Sequence, residues 1–363
     1  MTTASTVPRN PVWVEAEREA MGRALQRAGD VRARTSPNPW VGCVIVTPEG
    51  TVVGTGATEP PGGAHAEVGA LSEAGDRARG ATLVTTLEPC SHHGRTPPCT
   101  DAIVAAGVRR VVVGIADPDR LVAGAGLAAL AAAGVEVAAG LRADEVEEQL
   151  APYLKHRRTG RPWVVLKLAA TVDGRIAAPD GSSEWLTGEA ARADVQRLRA
   201  ESDAILVGAG TVRSDDPRLT VRGAGAAPDP DRQPMRVVLG GAAAEARVQP
   251  ALSLGGDVAE VLEELGRRQV VQLLVEGGAT VAYQFHAAGL VDRYVLYLAP
   301  ALFGGDDAVP MFAGPGAGRV QDLWRGRLVD VRRFGDDLRV ELAPLAPQPV
   351  PALAGSVPET KGA

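Results

Sequence analysis

Strand-like and helix-like segments alternate along nearly the whole chain, and that alternation restricts it to layered α/β architectures. In the first part, Glu15 to Ala28 places Ala20, Met21, Ala24, Leu25 and Ala28 at helical spacing, and Trp40 to Val46 is a short β-branched apolar run. His65 to Ala74, Thr100 to Ala106 and Gly126 to Ala133 read as helices. Ala81 to Leu87, Arg110 to Ile115 and Val135 to Ala139 read as strands. Such a succession predicts a mostly parallel sheet with helices on both faces. The stretch Asp144 to Arg161 is dense in charge, ends in RRTGRP and reads as a crossing between two domains.

A second series follows. Strands are expected at Trp163 to Leu168, Ala204 to Val207, Arg236 to Leu239, Val270 to Val275 and Tyr294 to Leu298. Helices are expected at Thr187 to Ala200, at Val258 to Arg267 and from Thr280, with a closing hairpin, Leu328 to Arg333 and Leu338 to Leu342, around GDD. Residues 12–150 and 161–343 are therefore expected to be two domains, each large enough for its own core. Residues 344–363 form a Pro-rich tail expected to be disordered. Aromatic residues are only 4% of the chain, so both cores must be built mainly from Ala, Val and Leu.

Charge and cysteine usage narrow the function. A net charge of −6 with no offsetting basic block argues against nucleic acid as the partner. The longest apolar-plus-Gly run, Val122 to Val135, falls short of the ~20 residues of a membrane span, and Met1 to Asn10 has no signal-peptide pattern. The expected location is the cytoplasm. Cys43, Cys90 and Cys99 are too few and too unevenly placed for a disulfide framework, so metal binding or catalysis is the better reading. Cys43, inside VGCVIV, reads as core.

Two stretches carry the chemistry of the first half: His65-Ala66-Glu67, opening a helix, and Pro89-Cys90-Ser91-His92-His93-Gly94-Arg95-Thr96-Pro97-Pro98-Cys99, following a buried strand. His65, Cys90 and Cys99 make a soft set suited to one tetrahedral zinc ion per chain, with a fourth position free for water. Glu67 is placed to shuttle protons without being a ligand. An H-x-E followed by P-C and a further cysteine is the pattern of zinc base deaminases, although the cysteines here stand farther apart than in the short form P-C-x-x-C. Taken singly, each of these residues is more often structural; taken together they point to a metal site. His92 and His93, adjoining Cys90, are awkwardly placed to join the same tetrahedron and fit roles beside the substrate or behind the ligands.

These residues resemble the bifunctional riboflavin-biosynthesis deaminase/reductase family. PCSHHGRTPPC is the most specific element, and TSPNPWVGCVIV (Thr35 to Val46) and GGAHAEV (Gly62 to Val68) are similar to the family's substrate and zinc segments. The resemblance implies a cytidine-deaminase-like three-layer fold for the first half. It also implies a phosphorylated pyrimidine substrate, 2,5-diamino-6-(5-phosphoribosylamino)pyrimidin-4(3H)-one, which loses its ring 2-amino group as ammonia to give 5-amino-6-(5-phosphoribosylamino)uracil. Asn38 would hold the pyrimidine. Thr58 and Gly69 depart from the family, where His and His or Asn are common.

By spacing alone the second half stays open. EGGAT, Glu276 to Thr280, could cradle a phosphate at a helix start or be a plain connection, and Arg199 and Arg222 could clamp a phosphate or be solvated charge. No G-x-G-x-x-G supports a Rossmann site. LKLAATVDGRIA, GSSEWLTG, DAILVGAGTVRSDDPRLTVR and LLVEGGATVA resemble, in that order, the family's dihydrofolate-reductase-like domain. That implies NADPH as cofactor and reduction of the ribosyl to a ribityl group. Ala169, Trp185, Thr211, Asp215, Gly278, Ala279, Thr280, Val281, Ala282, Tyr283 and Gln284 would meet the cofactor. Ser183, Arg199, Leu219, Arg222 and Glu276 would meet the sugar phosphate. Gly240-Gly241 departs from the family, and the segment Ala242 to Asp257 looks too short for a strand that many relatives have. The expectation is a bifunctional enzyme that works as a homo-oligomer. The alternatives are a deaminase-only protein or nucleotide-binding paralogue with a degenerate reductase half, or a deaminase for another pyrimidine.

Overall fold

A computed structural model of the chain describes residues 12–92, 97–119, 122–223 and 232–345. His93 and all but the start of the expected tail lie outside the described residues. The first half runs α1 (Glu15–Thr35), β1 (Gly42–Val46), β2 (Val52–Ala57), α2 (Ala66–Ala74), β3 (Thr82–Leu87), α3 (Cys99–Ala105), β4 (Arg110–Ile115), α4 (Ala125–Ala132), β5 (Glu136–Ala139) and α5 (Ala143–Thr159). Its five-stranded sheet has the order β2-β1-β3-β4-β5. The expectation of a mostly parallel sheet is corrected here: β3, β4 and β5 are parallel, but β1 is antiparallel to both β2 and β3.

Strand β2 was not expected, because VVGTGA looks like loop. Its glycines are a packing requirement. A Cβ at Gly54 would lie 2.2 Å from Ala70 O, and one at Gly56 would lie 2.0 Å from Ala66 O, so α2 rests directly on the strand's backbone. This close layering, with Ala66, Ala70 and Ala74 buried on the helix side, makes up for the scarcity of aromatics and fixes the helix that begins just after His65.

The second half runs β6 (Trp163–Thr171), β7 (Arg175–Ala177), α6 (Glu189–Ala200), β8 (Ala204–Gly208), α7 (Ala209–Asp215), β9 (Met235–Leu239), β10 (Leu252–Leu254), α8 (Val258–Arg267) and β11 (Gln272–Val275). It continues through α9 (Ala279–Ala287), β12 (Arg293–Ala299), β13 (Val309–Pro310), β14 (Gly326–Phe334) and β15 (Asp337–Pro344). The eight-stranded sheet has the order β10-β9-β8-β11-β6-β12-β15-β14, parallel from β10 to β12 and antiparallel through the β14–β15 hairpin. A second correction falls here. The segment expected to lack a strand contains β10, paired in parallel with β9 from Leu252–Val237 to Leu254–Leu239.

The charged crossing between the halves takes the form of the helix α5. Val146, Leu150, Tyr153 and Leu154 bury a stripe in the first half's core, which also takes in Val271 from the second half. At the helix's far end His156 Nε2–H donates to Gly266 O at 3.3 Å, and Lys155 pairs with Asp292. The backbones of Gly160 and Gly266 are so close that a Cβ on Gly266 would lie 1.8 Å from Gly160 O.

Candidate active sites

The end of β3 and the starts of α2 and α3 bring the three soft ligands together. His65 is the N-cap residue of α2, Cys99 opens α3, and Cys90 follows β3 by way of Glu88-Pro89. Their ligand atoms all lie within 4.8 Å of one another. His65 Nδ1 is 3.2 Å from Cys99 Sγ and 3.5 Å from Cys90 Sγ. A tetrahedral zinc with Zn–N near 2.0 Å and Zn–S near 2.3 Å requires N···S separations of about 3.5 Å, so the residues fit the metal. Glu67, in the first turn of α2 and 4% exposed, brings Oε2 to 3.6 Å from Cys99 Sγ.

Each group's protonation has a physical cause. The hydrogen bond from the Cys99 thiol holds Cys90 far below the usual thiol range, at about 4, and the same bond, with burial, pushes Cys99 up. His65 is raised by its hydrogen bond to Cys90. Burial raises Glu67 above an ordinary carboxylate, which suits a group that must both take and give a proton.

Glu88 was not singled out in the sequence, yet it shapes the loop that carries Cys90. It is 4% exposed. Its Oε2 accepts N–H from Asp117 (3.1 Å) and Gly124 (3.1 Å), and its Oε1 accepts from Gly126 (3.0 Å) and Leu127 (3.2 Å). Gly124 is the N-cap of α4 and has no side chain to cap it, so Glu88 supplies the cap from another part of the chain. A Cβ on Gly126 would lie 2.0 Å from Pro89 O, so α4 is pressed against this loop.

The second site is a cleft of about 1640 Å³ at the carboxyl ends of β6, β8, β9 and β11, where open parallel sheets bind ligands. Ser183, Arg199, Leu219, Arg222 and Glu276 all line it, as do Ala169, Trp185, Thr211, Asp215, Gly278, Ala279, Thr280, Val281 and Gln284. Ala282 and Tyr283 do not. The inward face of α9 carries Ala282 into the core at 0% exposure, and the Tyr283 ring lies against Gly314. Arg199 grips Glu276 with two hydrogen bonds of 2.7 and 3.0 Å. Lys167 Nζ stands 3.8 Å from the same carboxylate, which these two cations hold below its ordinary range despite burial. Arg192 stacks over the exposed ring of Trp185 at 4.6 Å.

Residues 14–115 match the cytidine and deoxycytidylate deaminase zinc-binding region, and residues 162–340 match the RibD C-terminal domain. The riboflavin biosynthesis protein RibD of Mycobacterium tuberculosis is 45% identical over 332 residues, covering 89% of this chain and 96% of that one. The chain belongs to the RibD family. The solved RibD of Acinetobacter baumannii, form 1, aligns with a TM-score of 0.86 at 38% identity, covering 92% of this chain and 99% of that one. A diaminohydroxyphosphoribosylaminopyrimidine deaminase/5-amino-6-(5-phosphoribosylamino)uracil reductase from Thermotoga maritima aligns with a TM-score of 0.81 at 33% identity, covering 91% and 99%. The smaller sheet thus belongs to a cytidine-deaminase-like zinc-binding domain and the larger to a dihydrofolate-reductase-like RibD C-terminal domain.

Within this RibD fold, Thr58 and Gly240 have local reasons. Thr58 is buried and its Oγ1 accepts the Val41 N–H at 3.0 Å, tying β1 to the end of β2. A Cβ on Gly69 would meet Gly56 Cα at an ordinary 3.6 Å, so nothing in the structure explains the glycine there. Gly240 lines the RibD cleft with φ of 105°, so a side chain there would be strained. Asn38 is half-buried in the turn between α1 and β1, where its N–H donates to Thr35 O at 3.0 Å. Lys167 had a signal in the sequence, a lone cation inside the apolar strand WVVLKLAAT.

Proposed function

We propose the following division of labour in this bifunctional riboflavin-biosynthesis deaminase/reductase. His65, Cys90 and Cys99 hold one zinc ion per chain, Glu67 moves the protons of deamination, and the cleft of the second half binds NADPH and the deaminated nucleotide. The observation that carries the reading is the convergence of one imidazole and two thiols beside a buried carboxyl. Zinc in such a set supplies hydroxide at neutral pH. Glu67 takes a proton from the attacking water and delivers it to the departing 2-amino group, so that ammonia leaves as the ring becomes a uracil. Asn38 holds the pyrimidine.

When bound in the second half, NADPH would supply hydride to C1′ of the ring-opened imine form of the ribosylamine, whose nitrogen takes up a proton from water. The backbone N–H groups at Gly278 to Thr280, at the start of α9, suit a phosphate. Ser183, Leu219 and Arg222 line the cleft on the side assigned to the sugar phosphate. Arg199 acts by holding Glu276 in place. We place the enzyme in the cytoplasm, where reducing conditions would keep Cys90 and Cys99 available as metal ligands. It is proposed to be a homo-oligomer, because the edge strand β14 leaves Leu328 and Val331 uncovered.

The test feeds purified protein the diaminopyrimidinone nucleotide with and without NADPH and identifies products by mass. In Glu67→Gln, deamination should fall by at least ~10²-fold while zinc and reduction of the deaminated nucleotide persist. Near-normal ammonia release from that variant would refute the assignment.

A further inference from the structure

The turn carrying Asn38 is held from outside its own domain. Arg232, which precedes β9 in the reductase half, donates from Nη2 to Ser36 O at 3.0 Å. Asp203 Oδ1, 3.6 Å from the same guanidinium, keeps Arg232 aimed at the turn. On the far side of Asn38, Arg32 stacks over Trp40 at 5.1 Å, and its Nη2 donates to Gln272 Oε1 of the reductase half at 2.8 Å. The turn's own side chains supply little: Thr35 Oγ1 and Ser36 Oγ are buried without a hydrogen-bond partner among the described residues. Within the first half, the Asn38 N–H bond to Thr35 O, a 3.4 Å contact from Arg157 Nη2 to Pro37 O, and the Trp40 Nε1–H bond to Gln149 O at 3.2 Å add to the grip.

We infer that Arg232 is a positioning residue for deamination, through which the reductase half sets the pose of the pyrimidine-binding turn. The inference rests on the assignment of Asn38 to the pyrimidine. It gives the second domain a part in the first reaction that does not involve its own cleft. Arg232 precedes the start of β9, whereas Leu239 and Gly240 at the other end line the cleft, about 16 Å of extended strand away. Loosening the turn should weaken pyrimidine binding but leave the zinc ligands and Glu67 in place, so the effect belongs in KM and not in kcat.

The experiment measures both half-reactions in full-length Arg232→Gln, Arg232→Lys and Asn38→Ala, with zinc content and melting temperature recorded for each. For Arg232→Gln the deaminase KM should rise about tenfold, the loss expected for one charge-assisted hydrogen bond, with kcat and the reductase kinetics unchanged. Arg232→Lys, which keeps the charge facing Asp203 and a donor of shorter reach, should give an intermediate KM. Unchanged deaminase KM in both Arg232 variants, with Asn38→Ala raised, overturns the inference alone. An unchanged KM in Asn38→Ala overturns the Asn38 assignment and the inference with it. A fall in deaminase kcat or zinc content in Arg232→Lys at wild-type melting temperature also overturns it, because the residue would then act on the metal centre.

Discussion

Replacing Glu88 by Gln changes one atom in a buried carboxyl and should undo the loop that presents Cys90. Each oxygen of Glu88 accepts two backbone N–H bonds, between 3.0 and 3.2 Å. Whichever oxygen becomes the amide NH2, two N–H donors then face a donor, and the other two lose the carboxylate's charge. Bonds to charged groups contribute about 1.5–3 kcal/mol each, and leaving the donors unpaired costs their desolvation as well. Partial relaxation of the start of α4 offsets some of this, giving an expected loss of about 3–5 kcal/mol. Two residues on lies Cys90, so zinc should also be released faster to a chelator. Urea denaturation with zinc loss followed by a chromogenic chelator measures both effects. A variant less than about 1 kcal/mol weaker, releasing zinc at the wild-type rate, would refute the idea that Glu88 caps α4 and holds the metal loop.

Metal analysis of Cys90→Ser and Cys99→Ser should show strong zinc loss in each, and a chelator should lower the wild-type melting temperature; full retention of metal in both variants sinks the ligand set. Burial holds His156 below its ordinary value of 6.5, so the unfolded chain takes up the proton first and stability falls as pH drops through that value. His156→Gln should flatten that dependence between pH 7 and 5, and equal slopes of the urea midpoint with pH in both proteins would exclude the effect. Arg199→Ala leaves the Glu276 carboxylate, 8% exposed, with Lys167 at 3.8 Å, so about 3–5 kcal/mol of stability and most NADPH oxidation should be lost while ammonia release continues. A stable variant showing only weaker substrate binding would instead make Arg199 a phosphate ligand.

The cluster of His65, Cys90 and Cys99 was legible because soft metal ligation demands particular residue types, and three of them with a nearby glutamate leave few other readings. The helices and buried strands were legible where apolar periodicity was undisturbed, as at Arg110–Ile115 and Val258–Arg267. Close packing hid β2, since the residues that let α2 approach are glycines, the same residues that mark loops. Charge hid α5: its exposed side carries Asp144, Glu145, Glu147, Glu148 and Arg158, and Pro152 lies inside it, while its buried stripe serves two halves at once. Strand β10 is three residues long, too short to display a period. Glu88 left no trace because its partners are backbone N–H groups from residues 117–127, which carry no side-chain signature. In the reductase half, similarity names the unbroken stretch Gly278 to Gln284, and it carries no information on which face of α9 looks inward, so it takes in Ala282 and Tyr283, which do not line the cleft.

The junction at the end of α5 has a mechanical consequence. Helix gives way to β6 across Gly160, Arg161 and Pro162, with Arg161 paired to Glu263 at 2.6 Å and the helix packed against both halves. Nothing in that connection can act as a swinging arm. With both halves gripping one helix, the spacing of the metal-ligand cluster and the cleft is set by side-chain packing and not by the length of a tether.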